Sequence, residues 1–275
     1  MDKKIVNLGK LSGKVLVFGG VYSNLQALNA IITYAEKNDI PPENCICTGD
    51  IVGYCAQPEE CILKFKNWGA KSILGNVEIQ LNEGATDCGC DFKSGSRCDD
   101  FSKSWYPYAQ NNLSKEAFNY ISQLPHYIKF DYAGKTISVL HGSRFNVSEF
   151  IFKSTEWETK ASNFKATQSD VIIAGHSGLP FYTHNEHKLW LNPGVIGMPA
   201  NDGSPKVWFA VLDDHNNKFN FEYQKLSYDH KLASSLMLKS NLPEAYAKTL
   251  LTGIWDNTEI LPETEANQQG LEIDL

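Results

Sequence analysis

Four residues able to ligate a metal stand where a chain of alternating strands and helices would bring them together. ICTGD ends on Asp50, SILGN on Asn76, TISVLH on His141 and VIIAGH on His176. Each apolar run reads as a buried strand. In α/β sheets, ligands bind just outside the carboxyl ends of the strands. Glycine precedes Asp50, Asn76 and His176 and follows His141, which lets backbone and ligand approach closely. Any one of the four has an ordinary structural explanation, a turn aspartate or a hydrogen-bonded histidine. Four at four strand ends is a pattern that chance seldom produces. A carboxylate, an amide and two imidazoles make a mixed oxygen and nitrogen set. Such a set suits zinc, manganese or iron better than calcium or magnesium.

The elements that must position these residues follow from the hydrophobic pattern. KVLVFGG reads as a strand. A helix follows, with Ser23 as its expected N-cap and Leu25, Leu28, Ile31, Ile32 and Ala35 along one face. ENCICTGD is a second strand, PEECILKFKNWG a second helix with Pro58 in its first turn, and AKSILGN a third strand. The order β-α-β-α-β implies a parallel sheet with right-handed crossovers. Residues 79–100 are rich in Gly, Cys, Asp and Ser without a period and read as a loop able to cover a site. Beyond it come one or two helices and a hairpin turning at Ala133-Gly134. A helix and a strand follow, then hairpins turning at Asn185-Glu186 and near Asn216-Asn217. Two helical stretches and an acidic tail close the chain.

At 275 residues the chain has room for one large domain or two small ones. Lys plus Arg number 25 and Asp plus Glu 32, a formal charge of −7. That argues against a general nucleic-acid binder or a protein of anionic membranes, since both want a basic face. A small anionic substrate stays compatible, because a metal supplies local positive charge. No run approaches the ~20 apolar residues of a membrane span. The N-terminal stretch has no apolar signal core. Seven cysteines, an odd number, cannot all pair, and the expectation is a cytoplasmic protein with reduced thiols. Only two arginines occur, Arg97 and Arg144.

The blocks GDIVGY (Gly49 to Tyr54), LGNVE (Leu74 to Glu78), LHGS (Leu140 to Ser143), GHSGLPF (Gly175 to Phe181) and NPGVIGMP (Asn192 to Pro199) occur in that order. Together they resemble the metallophosphoesterase, or calcineurin-like phosphoesterase, superfamily over roughly Lys14 to Leu226. The resemblance implies a four-layer αββα sandwich of two mixed sheets, with the site at one edge. It also implies a domain over 1–227 and a helical extension with an acidic tail over 228–275.

Departures from the family pattern fall on one side of the site. The family's first block carries an Asp and a His two residues apart; here Gly20 and Tyr22 stand there. The last block normally reads Gly-His-x-His; here Gly178 replaces the second His. The His that follows Asn in the family, used as general acid, is Val77. The resemblance thus implies that Asp50, Asn76, His141 and His176 hold one metal (Mn, Fe or Zn), and that the second metal site is abolished. Tyr22 is then a candidate proton donor or ligand, or a hydroxyl plugging the empty pocket. Arg144, directly after LHGS, is a candidate anchor for a substrate phosphate or carboxylate, or the partner of a structural carboxylate.

Cys88 and Cys90, two apart, with Cys98 further on, could ligate a metal or act in redox chemistry, although the spacing matches no standard zinc motif. Free, partly buried thiols are the competing reading. Cys55 lies near the site, while Cys45, Cys47 and Cys61 read as core. The reading that results is a mononuclear phosphoesterase-like hydrolase acting on a small phosphate ester. Its rivals are a catalytically silent binding protein on the same fold, and a different metal- or thiol-dependent reaction that uses the cysteine loop.

Overall fold

The computed structural model describes residues 3–90 and 92–275. In chain order the elements are β1 (Ile5–Lys10), β2 (Val15–Phe18), α1 (Leu25–Lys37), β3 (Cys45–Cys47), α2 (Pro58–Trp68), β4 (Lys71–Ser72) and α3 (Asn76–Glu83). The middle of the chain supplies α4 (Arg97–Asn111), α5 (Lys115–Ile121), β5 (Tyr127–Tyr132), β6 (Lys135–Leu140), α6 (Trp157–Thr167) and β7 (Val171–Ala174). Then come β8 (Phe181–Asn185), β9 (Lys188–Asn192), β10 (Val207–Asp213), β11 (Asn220–Leu226), α7 (His230–Lys239), α8 (Glu244–Thr252) and α9 (Glu263–Ala266). They build two mixed sheets, ordered β1-β5-β6-β7-β9-β8 and β11-β10-β2-β3-β4.

Strand periodicity explains the layers. In β2, Val15 and Val17 face the six-stranded sheet and pack with Ile137, Val139, Val171 and Ile173. Leu16 and Phe18 face the other way, onto α1 and α2 through Leu28, Ile31 and Phe65. In the six-stranded sheet, Leu140, Ile172 and Ala174 pack outward with Phe164 of α6 and Trp190. All four residues of β2 and all four of β7 are buried, as strands covered on both faces require. The result is helix, sheet, sheet, helix, the expected αββα sandwich.

Several expectations change in detail. The strand β1, parallel to β5, was not legible, because its residues alternate without strong apolar character. The helix α1 is capped by Asn24, whose side chain accepts from the Ala27 amide; the Ser23 hydroxyl instead accepts from the Gly53 amide. The irregular stretch expected over 79–100 is shorter, since α3 runs to Glu83 and α4 starts at Arg97. Residues 228–275 share the main core: Met237, Leu242, Ala247 and Leu250 belong to the same cluster as Leu28 and Phe65.

Candidate metal centre

Two ligand candidates come from each sheet. Asp50 follows β3 and Asn76 opens α3 just after β4, both in the five-stranded sheet. His141 follows β6 and His176 follows β7 in the other. Adjacent parallel β6 and β7 bring the two histidines side by side, and the His141 carbonyl accepts from the Gly175 and His176 amides at 3.0 Å each. His141 reaches across to the first sheet, with Nδ1 2.7 Å from the Thr48 carbonyl oxygen.

That contact fixes the tautomer. A carbonyl only accepts, so Nδ1 carries the proton and Nε2 presents a lone pair. Around Nε2 lie Asn76 Oδ1 at 2.9 Å, His176 Nδ1 at 2.9 Å and Asp50 Oδ2 at 3.2 Å. The Asn76 amide is oriented by its other end, where Nδ2 donates to the Cys88 carbonyl at 2.8 Å and meets Cys90 Sγ at 3.2 Å. Four electron-rich atoms therefore converge, all in residues that are at least nine-tenths buried. Buried lone pairs that face one another are costly unless a cation lies between them. Burial pulls the His141 imidazolium down, but the Asp50 carboxylate and the hydrogen bonds to Asp50 and Thr48 outweigh it, so the ring sits above its ordinary range and positive charge, a proton or a metal ion, is favoured at Nε2. Burial, reinforced by His141, pushes His176 down to about 3, which leaves it a neutral donor. His176 Nε2 is buried without a hydrogen-bond partner. The donor set fits a divalent transition ion.

Glu78 organises this half of the site. Its buried carboxylate accepts from the amides of Asp50 (2.8 Å), Gly75 (2.9 Å) and Val52 (3.0 Å). It thereby ties the loop carrying Asp50 to the turn carrying Asn76. Burial, then the nearby Asp50, pushes its pKa up to about 7 against those three amides. The tie matters because Asp50 holds φ 57°, a left-handed conformation costly for a residue with a side chain. Gly75 has no alternative: a Cβ there would sit 2.0 Å from Asp50 Oδ1.

The other half is filled. A Cβ on Gly20 would lie 2.3 Å from Cε1 of Tyr22, so the Tyr22 ring occupies the space an aspartate side chain would need. That ring packs edge-on against Tyr54 at 4.6 Å. Burial, followed by Tyr54 and Asp50, raises its phenol well above the ordinary range, which makes it a poor acid. The plug is the role the geometry supports for Tyr22, in place of the proton donor. At Gly178 a Cβ would meet only ordinary contacts, Val195 at 3.8 Å and the Trp255 indole at 3.9 Å, so this position is bordered by apolar groups rather than filled. Val77 is buried and offers the site only its backbone amide, 3.3 Å from Asp50 Oδ1.

Arg144 goes elsewhere. Its guanidinium lies 5.0 Å over the Tyr127 ring, its amide donates to Asn163, and it does not line the pocket beside the metal candidates. Cys88 and Cys90 are paired as a disulfide, which departs from the expected free thiols; Cys55 and Cys98 are free. Cys90 and Cys98 line the pocket, and Cys55 does not. Residues that sequence reasoning missed are Glu78, which stood unassigned inside LGNVE, Thr48, and the pocket wall from the C-terminal extension, Tyr246, Trp255 and Ile260. Trp105 and Tyr106 of α4 are core residues, with Trp105 against Tyr54 at 4.8 Å.

Residues 14–217 match the family model of the calcineurin-like phosphoesterase superfamily domain, and the chain belongs to that superfamily. Its sequence is 25% identical over 258 residues to MJ0912 of Methanocaldococcus jannaschii, an uncharacterized protein; the match covers 87% of this chain and 98% of that one. Its structure is similar to PH1004 of Pyrococcus horikoshii (TM-score 0.73, 23% identity, 88% of this chain and 99% of that one). It is also similar to a metallophosphoesterase of Sphaerobacter thermophilus (TM-score 0.69, 22% identity, 89% and 100%). Both likenesses concern the fold. Among the described residues no helix is long and apolar enough to cross a membrane.

Proposed function

We propose that the protein is a mononuclear metal-dependent phosphoesterase acting on a small phosphate ester. Asp50, Asn76, His141 and His176 would hold one Mn, Fe or Zn ion, which when bound polarises a phosphoryl oxygen and lowers the pKa of water. The observation that carries this reading is the asymmetry around Asp50. Four lone-pair atoms converge on one side, while the Tyr22 ring fills the other.

The chain's own residues do the rest. Thr48 holds the His141 tautomer, Glu78 holds the Asp50 and Asn76 turns together, and the Cys88 carbonyl orients the Asn76 amide. Tyr22, Trp255 and Phe150 keep water from the inner wall of the pocket, which strengthens electrostatic interactions there. Substrate anchoring by Arg144 is not part of this proposal.

The test is turnover of an aryl phosphodiester by purified protein loaded with Mn(II). Activity that is metal-dependent and lost in His141→Ala supports the reading. Metal binding without turnover would favour the binding-protein alternative.

A further inference from the structure

The pocket beside the metal candidates is mostly apolar and aromatic. Tyr22 and Tyr54 meet edge-on at 4.6 Å, Tyr54 and Tyr246 at 5.0 Å, and the Phe150 ring lies 4.4 Å from the His176 ring. Trp255 is fixed by its indole N–H, which donates to the Pro199 carbonyl at 2.7 Å, and by its amide, which donates to Asn201 at 2.8 Å. The cavity is about 80 Å³, well below the roughly 300–1,000 Å³ of drug-sized sites, so it takes one small group.

Two properties of the lining narrow the occupant. Among the described residues no lysine or arginine contributes to it, and the carboxylates there are Asp50 and Asp256. A second phosphate, with its greater charge, would be repelled there. Among the described residues, groups placed to protonate a departing alkoxide are few. The position after Asn76 is Val77, and His176 is the lining's one histidine among the described residues. Asp256 is held by the Arg97 guanidinium through both of its oxygens, which keeps its carboxyl below the usual range. Tyr246 is pushed well above its ordinary value by burial. A leaving group that departs without a proton is one whose conjugate acid is already fairly strong, as phenols are relative to alkyl alcohols.

We infer that the pocket formed by Tyr54, Phe150, Tyr246 and Trp255 is a subsite for an uncharged aromatic ring, and that the substrates are aryl phosphate esters whose ring is the leaving group. The inference rests on the proposed phosphoesterase reading. In the step, a water oxygen bonds to phosphorus and the P–O bond to the ring breaks. The aryloxide leaves with the bonding electron pair, and the proton of the water passes to solvent. Alkyl esters would fit poorly on both counts, lacking a ring to pack and leaving as strong bases.

Two measurements on the full, Mn(II)-loaded chain test this. Calorimetric titration with phenylphosphonate and with ethylphosphonate, both inert to hydrolysis, reads the subsite alone. Phenylphosphonate is expected to bind about tenfold tighter, the order of effect that burying a ring produces. Trp255→Ala, and separately Phe92→Ala, should remove that advantage, weakening phenylphosphonate more than ethylphosphonate. Equal binding of the two phosphonates in the parent protein, or an advantage that survives both substitutions, overturns the subsite. Rates for a series of ring-substituted phenyl phosphodiesters then read the leaving group. A steep fall as the phenol pKa rises supports departure without a proton, and a flat profile overturns it. Phenylphosphonate binding that depends on Trp255, with no turnover of any ester, supports the subsite while counting against the phosphoesterase reading.

Discussion

On one side of Asp50, lone pairs from Asn76, His141 and His176 point at a common centre. On the other side, where this superfamily's second metal would lie, a phenol ring covers Gly20, and Val195 and the Trp255 indole border Gly178. The two sides share the same loops and the same sheet edge. What separates them is that the first retains every polar group together with its supports, Thr48, Glu78 and the Cys88 carbonyl. The second has exchanged polar groups for aromatic surface that packs with its neighbours. Random decay would leave unpaired polar atoms on both sides. Replacement of one side by packed aromatic surface is what the proposal of a single-ion site rests on.

Substitutions can break this contrast. The largest effect is expected from His141→Ala, which removes the atom at the centre of the cluster. Metal affinity should fall on the order of 1,000-fold, about 4 kcal/mol, measured by competition with a chromophoric chelator. Retained affinity would remove His141 from the ligand set. Glu78→Ala leaves three backbone amides without their acceptor and releases the strained Asp50 turn. Unfolding free energy should drop by about 3 kcal/mol, read from urea titration at constant m.

The filled side makes its own predictions. Gly20→Asp should destabilise by about 2 kcal/mol, because its Cβ would enter the Tyr22 ring. Adding Tyr22→His should recover most of that loss, a coupling that a double-mutant cycle measures. Additive losses would mean that the ring is not what excludes the aspartate. The smallest effect is expected at Cys90→Ser, which removes the disulfide with Cys88 and alters the contact that orients Asn76. About a tenfold loss of metal affinity is expected, as for other residues that orient ligands.

The intact side was legible in the sequence because each ligand is a polar residue at the end of an apolar run. That signal survives without knowledge of contacts. The unbroken apolar runs of β2 and β7 likewise announced buried strands. The aromatic wall was not legible. Tyr246 and Trp255 lie far along the chain from Tyr22, and an aromatic that lines a pocket has the same local pattern as one that fills a core. Arg144 misled for a related reason. Its position after LHGS places its backbone near the site, whereas the direction of a long side chain is set by what it can stack on, here Tyr127. Glu78 could have been read: a carboxylate two residues after a ligand, in a helix's first turn, has nearby amides to accept from.

The account stands most directly on metal stoichiometry. Protein purified from cells supplied with Mn, Fe and Zn, dialysed and analysed by plasma mass spectrometry, should hold one transition ion per chain and fall to none in His141→Ala. Two ions per chain would show that Tyr22 and Trp255 do not close the second site. No ion under any of the three metals would contradict the assignment of Asp50, Asn76, His141 and His176 as a metal centre.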